Sequence, residues 1–134
     1  MNMQTQLVLA DGRIVRLGTP WSPLPQGVTA PFVALLPAHN KEERLRAERL
    51  AAELHRLGCI ELCCVGPESE QLHDALDQVM EDKDACEVVT TWHTDATDAC
   101  EYFLFAAGGG SAALLALVAD HPDLTDLLKQ TASL

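Results

Sequence analysis

Apolar residues fall into short blocks along the chain, and each change in their period marks a boundary between elements. Near the start, Leu7-Val8-Leu9-Ala10 and Arg13-Ile14-Val15-Arg16-Leu17 flank the pair Asp11-Gly12. That pattern predicts a β-hairpin closed by a tight primed turn, which needs positive φ at both central residues. Pro20, Pro23, Pro25 and Pro31 then interrupt any regular structure, because each removes a backbone donor and fixes φ. The reading is a hairpin over residues 1–18, an extended proline-rich linker over 19–31 and an α/β core over 32–134, together one domain.

In that core the period alternates between strand and helix. Phe32-Val33-Ala34-Leu35-Leu36 is a continuous apolar run ending at Pro37, as expected of a strand covered on both faces. Asn40 with Glu43 three residues on reads as a helix cap, and Ala47, Leu50, Ala51, Leu54 and Leu57 follow at helical spacing until Gly58 stops the helix. Cys59–Val65 is a second strand, Leu72, Ala75, Leu76, Val79 and Met80 mark a second helix, and Cys86–Trp92 is a third strand. Residues 95–107 read as a third helix, apolar on nearly all sides except at Asp98 and Glu101. Such a helix is either deeply buried or part of a subunit contact. Ala112–Ala119 has strand length between Gly110 and Asp120, and Asp123–Ala132 closes the chain as a helix.

Alternating strands and helices imply parallel pairing through right-handed crossovers. The expected fold class is therefore α/β: a small doubly wound, mostly parallel four-stranded sheet with helices on both faces. The core strands are expected in the order 2-1-3-4, with the N-terminal β-hairpin added at an edge or folded across it.

Charge narrows the range of partners. The chain has 134 residues and a formal net charge of −11, which repels nucleic acid and anionic membrane surfaces. Residues 1–60 carry seven Lys/Arg and five Asp/Glu, whereas residues 61–134 carry two and fifteen. The second half therefore suits a basic protein partner, although acidity also serves solubility. The N-terminus has neither the basic region nor the apolar run of a secretory signal, so a cytoplasmic protein is expected. Cys59, Cys63, Cys64, Cys86 and Cys100 are odd in number and three share one strand, which favours buried free thiols over disulfides.

Candidate chemistry gathers where ligands bind in such sheets, just beyond the carboxyl ends of the strands. The first core strand runs into His39-Asn40, the third into His93-Thr94-Asp95, and the fourth into Asp120-His121-Pro122-Asp123. In the expected order, His39 and His93 flank the point where strand order reverses, with His121 one strand further. His39, His93 and His121 with Asp95 or Asp120 would supply zinc ligands, or one histidine a general base. The competing reading makes Asn40, Asp95 and Asp123 helix caps and the histidines surface residues. No His-Glu-x-x-His spacing supports a metal, and no cofactor motif is present. Gly108-Gly109-Gly110-Ser111 follows a helix and precedes a strand, the reverse of a phosphate loop, so it reads as a helix stop at the amino edge. Cys63 and Cys64 face opposite sides of a strand, so they form neither a redox pair nor a chelate. Arg44–Glu48 and Arg49–Glu53 stand four apart and predict a salt-bridged face on the first core helix.

The string Thr90-Thr91-Trp92-His93, followed by acidic residues and the aromatic pair Tyr102-Phe103, resembles a family of small, uncharacterised bacterial proteins with a strand-ending T-T-W-H motif. That resemblance implies a bacterial source and no known activity. With no catalytic motif, the leading expectation is a non-enzymatic protein-binding or regulatory module, of the toxin-neutralising kind, with a homodimer through helix 95–107 as an accompanying state. The alternative is a small enzyme or metal-binding protein using the histidines at the carboxyl edge.

Overall fold

The computed structural model describes residues 6–134. Its elements follow in the order β1 (Gln6–Val8), β2 (Ile14–Leu17), β3 (Phe32–Pro37), α1 (Lys41–Arg56), β4 (Cys59–Val65), α2 (Ser69–Asp82), β5 (Val89–His93), α3 (Ala96–Phe105), a 3-10 turn (Ala107–Gly110), β6 (Ala113–Ala116) and α4 (Pro122–Ala132). The α/β class and the helices on both faces agree with the sequence. The part of the expected hairpin at residues 1–5 lies outside the described residues.

Among the described residues the sheet has six strands, in the order β1-β2-β6-β3-β4-β5. Only β1 and β2 pair antiparallel; the other neighbours are parallel. Two expectations are corrected here. The hairpin joins the sheet at an edge, one of its two expected placements, and this makes the sheet six-stranded rather than four-stranded, because β2 pairs with β6 in register Val15↔Leu114 to Leu17↔Ala116. Among the core strands, the fourth lies beside the first and the third at the far edge, so the order is 4-1-2-3 and not 2-1-3-4. Periodicity identifies strands but carries no term for which neighbours pair.

Two apolar layers hold this arrangement. On one face, α1 and α2 pack Ala47, Ala51, Leu54, Leu72 and Leu76 onto Ala34, Leu36, Leu62 and Cys64. On the other, α3 and α4 pack Cys100, Phe103, Leu104, Leu124 and Leu128 onto Val33, Leu35, Cys63 and Val65. Every residue of β3 is buried, which explains its unbroken apolar run. The same burial explains α3, whose Ala99, Cys100, Phe103 and Leu104 sit inside the protein's own core. Full burial of an aliphatic or aromatic side chain contributes about 1.5–3 kcal/mol.

Local chemistry shifts some boundaries. The hairpin turn is not a two-residue primed turn. Leu9 N–H donates to Arg13 C=O at 2.9 Å and Gly12 N–H to Leu9 C=O at 3.0 Å, which encloses three residues. Only Gly12, at φ 91°, takes positive φ there, the pattern of a turn followed by a glycine bulge. Asn40 caps α1 as expected, its side chain accepting from Glu43 N–H. Asp95 caps α3 in the same way. Asp123 does not cap α4; His121 stands at that position and Pro122 opens the helix. The expected i,i+4 pairs on α1 are replaced by Arg44–Glu68, at 2.8 Å, and Arg56–Glu53, at 2.6 Å. The third core strand starts at Val89 rather than Cys86, and β6 is four residues long. No helix among the described residues is long and apolar enough to cross a membrane.

Candidate functional site

The corrected strand order brings two histidines together. The chain runs from β3 outward through β4 to β5, then returns to place β6 on the other side of β3. The reversal point therefore lies between β3 and β6, the position where open α/β sheets form ligand crevices. His39 follows β3, and His121 follows β6 to stand at the N-cap of α4. Their rings stack at 4.0 Å between centroids with 19° between planes.

Glu43, in the first turn of α1, lies beneath this pair and is 5% exposed. Its position is set by the helix start. Asn40 Oδ1 accepts from Glu43 N–H at 2.9 Å, and Glu43 Oε1 accepts from His39 N–H at 2.9 Å, a variant of the reciprocal capping box reaching one residue further back. The carboxylate also meets both imidazoles: Oε1 is 3.2 Å from His39 Nδ1, and Oε2 is 2.6 Å from His121 Nε2. One donor atom from each of the three residues lies within 4.8 Å of the others. The His39 and His121 side chains keep 35% and 24% exposure, so the carboxylate is enclosed while the imidazoles face water.

The remaining candidates lie elsewhere. His93 ends β5, two strands from β3, and its ring packs against Tyr102 at 5.2 Å. Its expected place beside the reversal point is thus corrected; that place belongs to His121, because β6 and not β5 neighbours β3. Asp95 Oδ1 is occupied as a cap, accepting from Asp98 N–H at 2.9 Å. Asp120 lines a separate cavity of about 600 Å³ together with Thr19, Pro23, Pro122, Thr125 and Lys129. Glu43 was legible only as a capping carboxylate. The His39-to-Glu43 spacing of four, one helical turn, is the signal that would have placed it in the site.

A second buried carboxylate, Glu61 on β4, is 4% exposed. It accepts from Tyr102 Oη at 2.5 Å, Gly108 N–H at 3.0 Å and Thr91 Oγ1 at 3.3 Å. Three donors satisfy most of its lone pairs, as a buried charge requires. Burial, followed by the hydrogen bond to Glu61, pushes the Tyr102 hydroxyl above its usual range. This cluster pins α3 and the glycine turn to the sheet. Four of the five thiols are closed to chemistry: Cys59, Cys63, Cys64 and Cys100 are buried, and Cys86 alone is exposed; desolvation pushes Cys59 and Cys100 up to about 12.

Three donors of mixed type invite comparison with the needs of a metal ion. Zinc holds imidazole nitrogen and carboxylate oxygen at about 2.0–2.2 Å in tetrahedral geometry, so neighbouring donors sit roughly 3.3 Å apart. His39 Nδ1 meets that spacing at 3.2 Å from Glu43 Oε1, whereas His121 Nε2 approaches the other oxygen, Oε2, so the carboxylate must turn to present one oxygen to an ion held by both rings. The His121–Glu43 separation of 2.6 Å is a hydrogen bond, which must open by about 0.7 Å to admit an ion. The stacked rings must also turn so that their lone pairs converge. The last two movements are rotations of the imidazole side chains, which are partly exposed. The N-termini of α1 and α4 oppose a cation by about 0.3–1 kcal/mol each, small beside apparent zinc affinities of about 10 kcal/mol or more.

Residues 13–131 match the model of a family described as Domain of unknown function (DUF7684). No curated protein and no solved structure matches the chain.

Proposed function

The chain belongs to the DUF7684 family, and for it we propose a metal-binding function in which His39, Glu43 and His121 hold one divalent transition-metal ion, zinc being the best suited. The observation that carries this reading is the buried carboxylate of Glu43 shared between imidazoles from two neighbouring strand ends. Two nitrogens and one oxygen suit zinc among the first-row ions. Three protein ligands leave a coordination position open, which distinguishes catalytic from structural zinc sites. A bound ion would supply Lewis acidity there. Glu43 balances charge, and its bond from His39 N–H fixes which lone pairs remain for the ion.

Isothermal titration of the chelator-stripped protein with zinc tests this directly. The expected result is one equivalent bound per chain, with affinity at least tenfold weaker in His39→Ala and in His121→Ala. Equal zinc uptake by the wild type and the double variant would overturn it.

A protein-contact role is the second reading, and β5 favours it. This strand ends the sheet, and it exposes Val89 by 50% and Trp92 by 38%. An open edge with apolar side chains is a template for strand addition, and the acidic second half of the chain selects a basic segment. On α3 only Phe105 among the large apolar residues is exposed, so the reading sets the contact at β5 in preference to that helix. Loss of partner capture on Trp92→Lys, with zinc binding intact, would separate this role from the first.

A further inference from the structure

The amino edge of the sheet carries a groove lined by two arginines. It lies between β2 and the Gly27–Pro31 segment, has a volume of about 460 Å³, and is lined by Arg13, Arg16, Thr29 and Ser111 among others. That volume falls in the range of small-molecule sites, about 300–1,000 Å³. Among the described residues, Asp and Glu are absent from its lining, although the chain holds 20 acidic residues against nine basic ones. Two of those nine cations face one groove.

The two arginines are in different states. Arg13 is engaged: its Nε donates to Asp11 Oδ2 at 2.8 Å and its Nη2 to Leu104 C=O at 2.6 Å. Arg16 pairs with no carboxylate among the described residues, and its Nη1 donates to the neutral Gln6 Oε1 at 2.5 Å. A Cβ at Gly27 would stand 3.1 Å from Arg16 Nη2, so the absence of a side chain at 27 leaves room for the guanidinium. The backbone N–H groups of Thr29 and Ser111 donate to no protein acceptor among the described residues. A planar fork of donors with its positive charge uncompensated, beside spare amides, is the chemistry that recognises an oxyanion.

We propose that this groove binds a small organic anion through a carboxylate or phosphate group seated on the Arg16 guanidinium. The site is independent of His39, Glu43 and His121, which lie at the opposite, carboxyl edge. Because the net charge of −11 repels anions at long range, the attraction is local, and screening by salt weakens it.

Titration of the ¹⁵N-labelled protein at low ionic strength, with succinate in one arm and inorganic phosphate in the other, tests the proposal. Saturable shifts of the Thr29 and Ser111 amides are expected in at least one arm, and the arm that saturates at lower concentration names the headgroup. Arg16→Gln is expected to weaken binding at least tenfold. Arg16→Lys, which keeps the charge but loses the fork, should weaken it by less; both variants should keep the wild-type spectrum elsewhere. Linear, non-saturating shifts in both arms, or undiminished affinity in Arg16→Gln, would overturn it. His39→Ala should bind the anion as the wild type does.

Discussion

His121 Nε2 lies 2.6 Å from Glu43 Oε2 across 78 residues of sequence, so the start of α4 is tied to the start of α1 over the carboxyl end of β3. The same carboxylate completes the α1 cap through His39 N–H. Glu43→Ala therefore removes a cap and the hydrogen-bond partner of His121 together and is expected to cost about 1–3 kcal/mol. His121→Ala removes one of those contacts and should cost less. In urea melts of the two single variants and the double variant, the coupling between them should lie at about 0.5 kcal/mol or more. Strict additivity would mean the contact contributes nothing to stability.

The thiols give a pH dependence with a definite sign. Desolvation raises Cys59 and Cys100 from 9.0 to about 12 and raises Cys63 and Cys64 as well. A folded state that resists thiolate formation keeps its full stability while the unfolded thiols are still protonated, below about pH 9. As pH rises from there through the folded values, the unfolded state releases protons that the folded state retains, and stability falls. Equilibrium unfolding at pH 8, 9 and 10 should therefore show a decline that begins in the lower step and is steeper in the upper one. Reaction with a thiol reagent at pH 8 should modify Cys86 alone, since it is the one exposed cysteine; rapid loss of more than one thiol from native protein would contradict the burial.

The strands and helices of this fold are written in local periodicity, and the α/β class follows from their alternation. Neighbour order is not. Whether β6 inserts beside β3 or beyond β5 depends on which edge the β5-to-β6 crossover returns to, and the run Ala112–Ala119 reads the same in either place. That one choice decided the site: it paired His39 with His121 and left His93 against Tyr102. Glu61 was equally hidden. It sits in a strand read as apolar, and its donors Tyr102, Gly108 and Thr91 are separated from it by 41, 47 and 30 residues. No window of local sequence spans such distances. Arg44 shows the same limit in reverse, since a good i,i+4 partner at Glu48 was passed over for Glu68, which the β4-to-α2 loop brings to 2.8 Å.

Tyr102→Phe tests the buried carboxylate. The substitution keeps the ring and removes the donor 2.5 Å from Glu61, leaving a nearly buried charge short of one partner. Hydrogen bonds to charged groups contribute about 1.5–3 kcal/mol, so a loss in that range is expected from denaturant midpoints. Glu61→Gln in the Tyr102→Phe background should recover part of it, because a neutral amide is less costly to leave partly unpaired. A Tyr102→Phe variant as stable as the wild type would show that water replaces the phenol.

Gly66 links the fold to the site. It follows β4 at φ 123°, a region that L side chains rarely adopt, and a Cβ there would stand 2.7 Å from Ala38 C=O and 3.4 Å from His39 N. Ala38 is held from both sides: its N–H donates to Val65 C=O at 2.8 Å and its C=O accepts from Glu68 N–H at 2.9 Å. Gly66→Ala must therefore push on the segment that carries His39, and it adds backbone strain of about 1–3 kcal/mol. The expected outcome is a stability loss in that range together with weaker zinc binding, although no ligand has changed. Gly109→Ala is the matched control, since Gly109 also has positive φ but no atom within 4 Å of the place a methyl group would occupy. It should lose stability through strain while zinc affinity stays at the wild-type level. If both variants bind zinc equally well, the backbone at Ala38 does not set the geometry of His39.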